Sequence, residues 1–153
     1  MEDAYTTSAY YKRTLGDKRY ELSNHLGNVL VVITDRRLAQ QGSGASAGKI
    51  VGYEPDVVTA QDYDPFGMVL VSRNWGNEKY HFGFNGKENA DEIKDKGNVV
   101  DFGARMYDSR LGRWCKTDPY EKGYAPISAY VAFLNNPIYF RDGDGNRVKG
   151  IDG

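Results

Sequence analysis

One short unit recurs along this chain: a strand edge, a polar turn that ends in glycine, and a second strand rich in β-branched or aromatic residues. It appears first between Lys18 and Asp35, where Val29 to Thr34 is dense in β-branched side chains whose stiff χ1 suits a strand. It returns between Gln61 and Arg73, where Pro65 presets φ for a turn and Gly67 permits a left-handed residue. The third copy runs from Val99 to Trp114. His25-Leu26-Gly27, Pro65-Phe66-Gly67 and Arg110-Leu111-Gly112 therefore read as versions of one device at roughly 40-residue intervals, an imperfect internal repeat. Chains built this way fold as antiparallel hairpins, and the expected class is mainly β.

Composition supports that reading. The 153 residues are enough for one ordinary domain, and they include 18 Gly, 12 Tyr, 6 Phe and 2 Trp. Tyrosine covers a pleated, half-buried surface while its hydroxyl reaches a partner, and glycine supplies tight turns. The formal net charge of −1 leaves no basic field to attract phosphate backbones or an anionic membrane surface, so neither nucleic acid nor a membrane is an expected partner. A single cysteine, Cys115, makes no internal disulfide and no cysteine-rich zinc site. No apolar run approaches the ~20 residues that span a bilayer, and Met-Glu-Asp-Ala-Tyr lacks the features of a signal peptide. Such a chain is expected in the cytosol or as a piece of something longer.

The connecting segments have their own expectations. The small polar residues around 40–48 predict a flexible loop. Lys87 to Lys96, highly charged and free of proline, predicts a short exposed helix or a long solvated connector. Ile127 to Leu134 predicts a short helix closed by Asn135-Asn136-Pro137, and residues 147–153 a dispersed tail.

From Tyr80 to Asn146 the chain resembles the Rhs repeat-associated core domain of Rhs/YD-repeat polymorphic toxin proteins. The resemblance rests on Phe102-Gly103-Ala104-Arg105-Met106-Tyr107-Asp108, Leu111-Gly112-Arg113-Trp114, Thr117-Asp118-Pro119, Asn135-Asn136-Pro137 and Asp142-Gly143-Asp144-Gly145, in that order. Upstream, His25-Leu26-Gly27-Asn28-Val29 and Tyr63-Asp64-Pro65-Phe66-Gly67 resemble the YD-type segments that precede such a core. The resemblance implies a division into a YD-repeat-like hairpin region at 1–79 and the core at 80–146. It also implies a strip of curled antiparallel sheet, with one or two short helices near its C-terminus, belonging to a shell that encloses a C-terminal toxin. The expected partners are the rest of that shell or the toxin, with self-association through exposed edge strands a further expectation. The implied setting is bacterial, exported or cell-surface, in interbacterial competition.

Some members of that family cleave themselves near the end of the core through paired aspartates, one carboxyl holding a proton while the other activates water. The positions here that match are Asp118, Asp142 and Asp144, with Asp108 further off the pattern; Gly143 replaces the family's proline and Asn146 its leucine. The competing reading is that these aspartates close Asx turns by accepting backbone N–H groups. Asp142, Asp144 and Asn146 also alternate like the start of a calcium loop, but Arg147 stands where its glycine belongs and Gly153 where its glutamate belongs. Neither metal nor cofactor is expected. Cys115 with His25 or His81 is a conceivable nucleophile and base, against the plainer reading of a small or surface thiol. Arg105, Arg110 and Arg113 with Tyr107 and Trp114 form a conceivable stacking surface for single strands, countered by Asp101, Asp108 and Asp118. Three functional classes follow: a structural encapsulation module, an autoprotease, and a protein interaction module.

Overall fold

The structure, a computed structural model, describes residues 13–76, 80–94, 97–120 and 126–150. Among the described residues, ten strands form three antiparallel sheets, each a meander of sequential neighbours. The first contains β1 (Arg19–Ser23), β2 (Val29–Gln41), β3 (Ile50–Tyr63) and β4 (Val69–Gly76). The second contains β5 (Glu88–Asn89), β6 (Val99–Asp101), β7 (Met106–Asp108) and β8 (Arg113–Trp114). The third is a ribbon of β9 (Phe140–Asp142) and β10 (Val148–Gly150).

The recurring unit is one turn used repeatedly. Asn24 accepts the backbone N–H groups of Leu26 and Asn28 on its side chain, and Asp64 accepts that of Met68. Asp108 accepts those of Arg110 and Leu111, and Asp142 those of Asp144 and Gly145. Each side chain thus closes the turn that follows it. At Gly67 the need for glycine is double: φ is +88°, and a Cβ would lie 2.4 Å from the Phe84 ring. The tyrosines that precede two of these aspartates tie one unit to the unit before it. Tyr63 donates its hydroxyl to Val29 O at 3.2 Å, and Tyr107 donates to Phe66 O at 2.7 Å. Burial pushes both phenols up, so they remain donors.

The core lies beside the second sheet. Phe84, Val100, Phe102, Tyr107, Trp114, Ala132 and Phe133 are buried together, with Tyr63 and Phe140 packed against them. The rings meet mainly edge to face: Tyr107 and Phe133 have centroids 5.3 Å apart, Phe102 and Trp114 5.1 Å. These arrangements place ring edges on the electron-rich faces.

No α-helix forms among the described residues, which corrects the expectation of short helices. Instead of a helix over 127–134, the chain pairs beside β8: Trp114 donates to Tyr130 O, Asp118 to Ala129 O, and Arg113 bridges Val131. That pairing takes the backbone groups a helix would use. Phe133, Leu134 and Asn135 then make one 3-10-type turn with φ of 52°, 51° and 57°. Left-handed backbone costs about 1–2 kcal/mol per residue for L-amino acids. The Phe133 ring, wholly buried against four other rings, offsets that cost.

In the charged segment from Lys87, Glu88 and Asn89 pair with β6 and a turn follows at residues 91–93; residues 95–96 lie outside the described residues. Gln40 and Gln41, expected at the start of a loop, belong to β2, and residues 42–49 close its hairpin with β3. Val148–Gly150, expected in a dispersed tail, pair with Phe140–Asp142.

Candidate functional site: a buried arginine beside two aspartates

Arg105 leaves the second sheet just before β7 and runs inward, with its side chain 2% exposed. Its guanidinium carbon lies 4.2 Å from the centre of the Trp114 ring, a cation held on an aromatic face. Nε donates to the carbonyl of Gly145. Nη1 stands 3.1 Å from Asp118 Oδ2, and Nη2 stands 3.5 Å from Asp142 Oδ2. Neither Nη contact has hydrogen-bond alignment, so attraction here is charge on charge. One side chain therefore gathers the segment after β8 and the turn between β9 and β10.

Asp142 is the most deeply placed of the four candidate aspartates, at 1% exposure. Burial pushes its carboxyl up, against the opposing pull of the Asp144 and Gly145 amides and of Arg105. Its Oδ1 is used by those two amides, at 3.2 and 2.8 Å. Asp144 is exposed and differs in every respect: the Asn146 amide, donating at 3.0 Å, holds its carboxyl below the usual value. Asp118, mostly buried, also accepts the Tyr120 amide at 2.7 Å.

The structure thus brings Asp118 and Asp142 to one guanidinium and leaves Asp144 at the surface of the same turn. Asp108 is elsewhere, with Lys94 Nζ at 2.6 Å and Arg110 Nη2 at 3.3 Å from its Oδ2. Burial raises Asp108, but those two cations outweigh it and hold the carboxyl below its ordinary value. The Asx-turn reading describes the bonding of all four aspartates.

The other candidates separate. Cys115 is exposed, and among the described residues no hydrogen bond links it to His25 or His81, both exposed; His81 instead stands 4.0 Å from Asp91. Among the described residues no group of three or more His, Cys, Asp or Glu is arranged to hold a metal. The arginine stripe is broken, because Arg105 is buried while Arg110 and Arg113 are exposed. Sequence reasoning placed Arg105 on that stripe and missed its part as the hub of the aspartates. The available signal was a charged residue between the apolar Phe102 and the Met106-Tyr107 pair.

No family model matches the chain. Salivary gland surface protein 1 of Aedes aegypti is 30% identical over 141 residues, which is 92% of this chain and 4% of that protein. Three solved structures resemble the chain in fold. TcdB2-TccC3-Cdc42 matches with TM-score 0.59 and 21% identity, covering 84% of this chain and 5% of that one. TcdB2-TccC3 matches with TM-score 0.58 and 22% identity over 83% of this chain and 5% of that one. A Photorhabdus luminescens Tc holotoxin pore matches with TM-score 0.57 and 21% identity over 83% and 5%. The chain spans only a small fraction of the length of any of these proteins, and what it shares with the three structures is an Rhs-like fold of antiparallel hairpins.

Proposed function

We propose that this chain is a wall segment of a β-shell, the structural core of an Rhs-type polymorphic toxin protein that presents or encloses a C-terminal effector. The observation that carries the reading is the unequal treatment of the two faces of the first sheet. One face buries Val29 and Val32, brought to the same side by the register shift between Leu22 and Ser23, with Val29 N donating to Gly83 O. The pairing Tyr20 to Ile33 and Leu22 to Val31, continued by Val31 to Ala60 and Ala60 to Trp75, sets the other face. There Tyr20, Leu22 and Trp75 remain 48%, 52% and 63% exposed. A contiguous apolar patch on a free sheet face marks a surface built to be covered. In this reading the cover is the shell's interior and cargo, and the sheet edges continue into neighbouring wall strands. Likeness to segments of the Tc structures supports it. The setting that follows is bacterial, exported or cell-surface.

The test is a chimera in which this chain replaces the matching segment of the TcdB2-TccC3 assembly, followed by protease challenge of the region downstream. Protection equal to the parent's supports a wall segment; a folded chimera that leaves the region open to protease contradicts it.

A second reading, aspartate-dependent self-cleavage, is favoured by Asp118 and Asp142 sharing Arg105 and by the raised carboxyl of Asp142. Asp144 belongs to this reading as an assistant at the turn. Against it, Arg105 offers each carboxylate a cation instead of a shared proton. Intact mass of the wild type and of Asp118→Asn decides: a shortened wild type restored to full length in the variant establishes cleavage, and full length in both removes it.

A further inference from the structure

Two rungs of the smaller sheets carry like charges directly opposite each other. In the β9–β10 ribbon Lys149 faces Arg141, and in the second sheet Glu88 faces Asp101. All four residues are exposed. Opposed residues of an antiparallel pair hold their Cβ atoms about 5 Å apart on one face, where like charges weaken the ladder. None of the four is ion-paired to another described residue. Exposed Arg147 lines the hollow beside Lys149 together with exposed Asp144, and exposed Glu92 lines the same open hollow as Glu88 and Asp101, with His81 at its rim.

Each rung lacks the counter-charges that the other provides, two cations and two anions at the same cross-strand spacing. The chain's net charge of −1 sets no long-range barrier between copies, and it disfavours a nucleic acid as the occupant of the basic ribbon. We propose that the Arg141 and Lys149 rung of one copy seats on the Glu88 and Asp101 rung of a second copy of this chain. Unlike patches meet, so the contact is head to tail and gives open rows of copies or closed rings. The pairing requires only the sheets as folded and does not depend on the shell reading.

The experiment is sedimentation velocity on the 153-residue chain at about 20 mM and about 300 mM salt, since screening acts on such exposed charges. Wild type associates at low salt, and association weakens at least tenfold at high salt. Arg141→Glu with Lys149→Glu abolishes it, as does Glu88→Lys with Asp101→Lys. An equimolar mixture of the two double variants restores it, because each then supplies what the other lost. Far-ultraviolet circular dichroism of each variant checks the fold; should either unfold, the salt dependence of wild type and the milder Arg141→Gln, Lys149→Gln variant carry the test. A wild type that stays monomeric at low salt, association that survives both reversals, or a mixture that stays monomeric overturns the proposal.

Discussion

The first sheet and the aromatic core solve the same problem of burial in opposite ways. β2 and β3 are the longest strands, at 13 and 14 residues, yet much of both is exposed. The strands of the second sheet are two or three residues long, yet they frame a core containing Tyr107 and Phe133 at 0% exposure. Hydrogen-bond ladder length therefore does not set where stability lies here. Rings packed edge to face, a buried arginine, and turns closed by aspartates hold the short strands. The long hairpin beyond Asp35 is held by its own ladder, a surface pair of Arg36 with Asp56 at 2.9 Å and an exposed bond from Gln40 Nε2 to Glu54. A two-stranded ribbon on its own is marginally stable in water. The core is buried within the chain, and the outer part of the first sheet is left exposed.

Mutations should separate the two regions in proportion to burial. Phe133→Ala, which empties the centre of the ring cluster, is expected to cost about 3–5 kcal/mol in chemical denaturation. Arg105→Leu leaves Asp118 and Asp142 without their cation and is expected to cost about 3 kcal/mol, read the same way. Tyr107→Phe keeps the ring and strands the Phe66 carbonyl, for about 1 kcal/mol. Val71→Ser, at a position 88% exposed in β4, should change stability by less than about 0.5 kcal/mol while reducing binding of a hydrophobic dye. A Val71→Ser loss as large as that of Phe133→Ala would erase the distinction between the regions.

Acid sharpens the comparison within the core itself. Asp108 titrates below its ordinary value of 3.8, so its stabilisation is complete above that value and is lost as pH falls through the lower, folded one. Asp142 is raised from 3.8, so the folded state holds its proton longer, and stability from this group declines as pH rises from 3.8 through the folded value. Urea denaturation across pH 2–7 should therefore show a shallower acid limb in Asp108→Asn than in wild type. In Asp142→Asn the decline above about pH 4 should vanish.

The hairpins were legible in the sequence because their cues are local: β-branched strands, an Asx residue, and glycine three or four positions later. Val29 to Thr34 and Gln61 to Tyr63 needed nothing from the rest of the chain to be read as strands. Asp118 and Asp142 could be singled out, but their meeting could not, because it depends on Arg105 closing segments far apart in sequence. The missing helix over 127–134 failed for a related reason. Its spacing fits a helix, but pairing beside β8 decides its backbone, and a local pattern carries no record of that partner.

Native-state hydrogen exchange on the isolated chain tests the central claim most directly. Amides of β6, β7 and the Phe133 turn should exchange only with global unfolding, while those of β2 and β3 from Arg36 to Gln41 and from Ile50 to Glu54 should exchange through openings far cheaper than that. Uniform protection across both regions would contradict the division into a tightly held core and a loosely held outer hairpin.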